Sequence, residues 1–64
     1  MADYSAKLKK LLSEKGCYFE KPGKGDHETW FSPISGKRFT VDNKIKSRHT
    51  ANEALKQAGL EKEF

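Results

Sequence analysis

Two apolar stripes of helical spacing, each stopped by a glycine, bracket this chain and restrict what can lie between them. In the first, Tyr4, Leu8, Leu11 and Leu12 share one face, while Lys7, Lys9, Lys10 and Ser13 fall elsewhere. Asp3 or Ser5 can cap its start, and Gly16 stands where a C-terminal glycine belongs. The second stripe is Ala51, Ala54, Leu55 and Ala58, stopped by Gly59. Its small alanines let a helix lie close against a sheet. Two starts are open to it: Ser47 can cap it, and Thr50 with Glu53 fits a capping box.

The segment between the helices reads as three short strands. Cys17 to Glu20 comes first, with Cys17 and Phe19 on one face, and Pro22 with the glycines that follow ends it. Glu28 to Ser32 is the second strand, and Ser32-Pro33-Ile34-Ser35-Gly36 reads as a tight turn. Arg38 to Val41 is the third, with Phe39 and Val41 inward. Trp30 argues for one inward face of the middle strand and Phe31 for the other, so its register stays open. The expected fold is α+β: helix, three antiparallel strands and helix, with both helices on one face of the sheet. Leu8, Leu11, Leu12, Phe19, Phe39, Val41, Leu55 and Ala58 should share one core, and 61–64 should fray. At 64 residues the expectation is one domain over 1–64. A chain this short buries only about 60% of its unfolded surface, so its seven aromatics must supply much of the core.

Charge is concentrated. Lys37, Arg38, Lys44, Lys46 and Arg48 stand against Asp42 alone, so this segment carries the entire net charge of +4. A local basic patch suits a phosphate backbone or an acidic protein partner. Cys17 is the one cysteine, which fits a reducing compartment better than a disulfide-framed secreted domain. No apolar run is long enough for a signal peptide or a membrane span, so the expected location is the cytoplasm.

The order of elements, with "LKKLLSEKG", "GKGDHETW", "SP" and "TVDNKIKSRHTANEALKQAGL", resembles the HicA family of bacterial type II toxin–antitoxin toxins. The resemblance runs from about Leu8 to Leu60; its most specific parts are the glycine–histidine entry to the second strand and the closing "LKQAGL". It implies a fold like the double-stranded-RNA-binding domain, cleavage of mRNA without a metal, and silencing by a HicB-type antitoxin. The family's catalytic histidine corresponds to His27. Many relatives carry serine just before that histidine, where this chain has Asp26.

The residues themselves allow that chemistry. RNA carries its own nucleophile, the 2′-hydroxyl, so one base and a few donors suffice to cut it. His27 would be the base, worth about 10²–10⁴ in rate. Lys24 and the amides around Gly23 and Gly25 would hold the phosphate and stabilise developing charge. Lys46 and Arg48, at the start of the second helix, can grip a further phosphate. Asp26 and Glu28 flank His27 in a strand and turn away from it, so no metal site and no cofactor is expected. Asp26 reads as a turn residue rather than a partner of His27, Cys17 as a small buried hydrophobe and Trp30 as core. Two rival readings remain: a non-catalytic RNA-binding module of the same fold, and a protein-interaction module whose basic face meets an acidic partner.

Overall fold

The computed structural model describes residues 3–64. The chain runs α1 (Ser5–Glu14), β1 (Tyr18–Pro22), β2 (His27–Ser32), β3 (Lys37–Asp42) and α2 (Arg48–Gln57). The strands form one antiparallel sheet in the order β1-β2-β3. This is the expected α-β-β-β-α order of a small α+β fold.

Both helices end in the same pattern of bonds. Gly16 N–H donates to the Ser13 carbonyl (3.1 Å) and Cys17 N–H to that of Leu12 (2.9 Å). After α2, Gly59 N–H donates to Lys56 (3.0 Å) and Leu60 N–H to Leu55 (2.8 Å). Each pair satisfies carbonyls that the helix leaves without partners. At the start of α1 the Asp3 carboxylate accepts the Ser5 N–H (3.0 Å) and hydroxyl (2.7 Å), and it also accepts the N–H of Ile45 (3.3 Å). Asp3 thus joins the helix start to the loop before α2. That helix begins after Ser47, whose side chain makes no capping bond, so Thr50 lies inside it.

Strand pairing settles the register that the aromatics left open. Trp30 stands opposite Phe39 and both are buried; Phe31 stands opposite Arg38 on the other face. Trp30, Phe39 and Val41 form one core with Leu8 and Leu12 of α1 and with Ala51, Ala54 and Leu55 of α2. Both helices therefore cover one face of the sheet, and among the described residues the face bearing Thr29, Phe31, Arg38 and Thr40 has none. Cys17 is buried in this core, as expected.

Phe19 does not join it. It is 47% exposed although it stands opposite Trp30 on the helix side. β1 is an edge strand, and its pairing with β2 shifts between Phe19 and Lys21. The cover of the core stops short of this irregular margin, and Cys17, one step before the strand, takes the buried place instead. Leu11 is only partly buried at the rim, and the buried Ile45, which the helical and strand patterns did not reveal, completes the core from the loop before α2.

The expected fraying of 61–64 is also corrected. The Asn52 amide bonds both the N–H (3.1 Å) and the carbonyl (3.2 Å) of Phe64, whose ring meets that of Tyr4 edge-on at 5.3 Å.

The far end of the sheet is pinned to α2 by Ser32, which is fully buried. Its hydroxyl donates to the Ala58 carbonyl (2.6 Å) and accepts the N–H groups of Ile34 (3.2 Å) and Ser35 (3.4 Å). Ser35 in turn donates to the Gln57 carbonyl at 3.0 Å. Among the described residues, no helix is long and apolar enough to cross a membrane.

Candidate functional site

The loop from Gly23 to Asp26 delivers the chain into β2, and its two glycines do different jobs. His27 N–H donates to the Lys24 carbonyl (3.1 Å), closing a turn whose first central residue, Gly25, has φ of +63°. That conformation favours glycine. Gly23 N–H donates to the His27 carbonyl at 2.9 Å. A Cβ on Gly23 would lie 3.0 Å from that oxygen and 3.2 Å from the His27 Cβ, so the backbone can approach this closely only without one. The Gly23 amide is thus used in closing the loop. The N–H groups of Lys24, Gly25 and Asp26 have no protein partner among the described residues.

His27 opens β2 and stands opposite Asp42, the last residue of β3. Its Nδ1 is hydrogen-bonded to Asp42 Oδ1. Both side chains lie on the helix-free face and remain accessible, at 48% and 36% exposure. A carboxylate on Nδ1 holds the ring in one orientation and one tautomer, with the lone pair on Nε2. No hydrogen bond engages Nε2 among the described residues.

The neighbouring residue fastens the loop. Asn43 donates its backbone N–H (3.1 Å) and its Nδ2 (2.7 Å) to the Asp26 carbonyl. Its Oδ1 accepts from Lys9 Nζ at 2.5 Å, and the same ammonium lies 3.2 Å from Glu28 Oε1. Glu28 also accepts the indole N–H of Trp30 at 3.0 Å. That bond first, and the Lys9 ammonium in support, hold the Glu28 carboxyl below its usual range. Lys9 thus braces the His27 end of β2 and β3 from the helix side.

The residues expected from sequence separate into two groups. Lys24 lies in the turn beside His27, and Lys46 and Arg48 are exposed between β3 and the first turn of α2. Asp42 and Asn43, at the His27 end of the sheet, lead directly into the segment that carries Lys46 and Arg48. Lys37 lies at the opposite end, beside the 33–36 turn. Arg38 bonds Glu20 at 2.6 Å, and that carboxylate raises the guanidinium pKa above its already high value. Asp26 contributes its backbone carbonyl to the turn.

Asp42 and Asn43 escaped the sequence reading. The signal was present in the hairpin count: a four-residue loop that pairs Ser32 with Lys37 also sets His27 opposite Asp42. It could not be used while the register of the middle strand was open.

Among the described residues no three histidines, cysteines or carboxylates come together as metal ligands. A family model described as HicA toxin of bacterial toxin-antitoxin matches residues 5–60. No curated protein and no solved structure matches the chain significantly.

Proposed function

This chain belongs to the HicA family, toxins of bacterial toxin–antitoxin systems, and from that premise we propose that it is a metal-independent endoribonuclease that cuts mRNA with His27 as general base. The observation that carries the reading is the His27–Asp42 pair on the open face of the sheet: an accessible imidazole held by a carboxylate at Nδ1, with Nε2 left to act. Nε2 takes the proton of an RNA 2′-hydroxyl as that oxygen attacks the adjacent phosphorus. The bond from phosphorus to the 5′-oxygen breaks, leaving a 2′,3′-cyclic phosphate. The proton held on His27, or one from water, neutralises the departing 5′-oxygen.

Lys24 and the unpartnered amides of the turn, Gly25 among them, stabilise charge developing on the phosphate. Gly23 keeps the turn tight against His27 and, with its own amide engaged, serves through that close approach. Lys46 and Arg48 grip a neighbouring phosphate. A HicB-type antitoxin silences the enzyme in the cytoplasm by covering this basic end, so RNA and antitoxin compete for it. Replacing Lys46 and Arg48 by alanine weakens RNA binding and flattens its salt dependence, by somewhat less than about 0.9 in slope per lost phosphate contact on a single strand.

The experiment compares the parent with His27→Ala on one RNA, with and without excess EDTA, and with circular dichroism alongside. The expected result is cleavage by the parent in EDTA and none by a folded His27→Ala protein. If the folded variant still cuts, the non-catalytic binding module becomes the better reading of the histidine.

A further inference from the structure

We propose that the helix-free face of the sheet carries a single-stranded stretch of the RNA, with an unpaired base stacked on the row formed by Tyr18, Phe31 and Arg38. This rests on the reading of His27 as the base. Side chains at alternate positions of a strand share a face, so His27, Thr29 and Phe31 lie in line along β2. Phe31 is about 13 Å beyond His27 at the usual rise per residue. A phosphodiester within reach of Nε2 must lie over this face, and its strand can continue along that line.

The row at the end of the line is built for a flat ligand. Strand pairing sets Tyr18, Phe31 and Arg38 side by side. The Tyr18 and Phe31 rings are 5.6 Å apart and tilted by 46°, and the Arg38 guanidinium lies 5.6 Å from the Phe31 ring centre. Glu20 holds that guanidinium in place at 2.6 Å, while the Arg38 side chain stays 62% exposed. Tyr18 is 51% exposed. None of the three serves the core, which lies on the other side of the sheet. Aromatic faces and arginine planes on a sheet accept bases of any sequence by stacking. Duplex RNA, recognised through backbone shape over about 16 base pairs, has no unstacked base to offer such a row.

The test measures binding by fluorescence anisotropy with a 2′-O-methylated single-stranded oligoribonucleotide, which resists cleavage, and with a duplex of the same sequence. Tyr18→Ala and Arg38→Ala should weaken single-strand binding about tenfold, within the range of one lost base stack. Tyr18→Phe should bind like the parent, and the duplex should bind more weakly than the single strand. Alanine variants that bind like the parent, or tighter binding of the duplex, would overturn the proposal; in either case His27-dependent cleavage would still stand. A parent protein that binds neither RNA would overturn the nuclease reading together with the stacking row.

Discussion

The carbonyl of Asp26 accepts two bonds from Asn43, one from its backbone N–H and one from its side-chain amide. The residue before the histidine and the residue after Asp42 are thereby locked together, and Lys9 of α1 secures Asn43 from behind. Replacing Asn43 by alanine should cost about 1 kcal/mol of stability. It should also lower single-turnover cleavage by more than that loss explains, because the His27 turn loses its side-chain fastening. Chemical denaturation and cleavage kinetics on the same preparation check both.

Asp42→Asn retains the shape beside Nδ1 and removes the carboxylate. Since a well-oriented base is worth about 10²–10⁴ in rate, the variant should lose at least tenfold in cleavage rate with little change in RNA affinity. Asp42→Glu should recover part of the loss. Single-turnover rates and equilibrium binding separate orientation of the base from binding.

The two glycines of the turn should fail differently. Gly25→Ala meets no neighbour within 4 Å but must adopt φ of +63°, which should cost about 1 kcal/mol of stability. Gly23→Ala brings a methyl to 3.0 Å from the His27 carbonyl, so it should displace His27 and depress cleavage more than Gly25→Ala does. Denaturation midpoints and cleavage rates of the two variants give the comparison.

Ser32→Ala leaves the Ala58 carbonyl without its partner in a buried site and removes the acceptor of the part-buried amides of Ile34 and Ser35. A loss of about 1–3 kcal/mol is expected. Because Ser32 is at the end of β2 remote from His27, the folded fraction should keep its cleavage rate. Urea titration with activity normalised to folded protein checks this.

Acid should destabilise the fold through two carboxylates. The Ser5 amide and hydroxyl, with the Ile45 amide, hold Asp3 below its ordinary value of 3.8; the Trp30 indole and then Lys9 hold Glu28 below 4.5. A folded pKa below the unfolded one contributes stability that is present above the ordinary value and lost as pH falls through the lowered one. Denaturation midpoints should therefore drop across the acid side of that range, and less steeply in Asp3→Asn and Glu28→Gln.

The sequence by itself determined the helices and the three strands, and it singled out His27 as the residue proposed to be the base. These are local properties: stripes at helical spacing, glycines that stop them, a turn signal at 33–36, and a histidine behind a glycine-rich loop. Only the tertiary structure decided which aromatics are core. Trp30 went inward because it pairs with Phe39, and Phe19 stayed exposed because its strand is an edge whose pairing shifts. Tertiary structure also joined Asp42 to His27, Asn43 to Asp26, and Phe64 to Asn52 and Tyr4. Each of these contacts links residues far apart in the chain, and each depends on a strand register or helix placement that no local propensity encodes. A one-residue slip in β2 would have turned His27 to the helix side and Phe31 into the core.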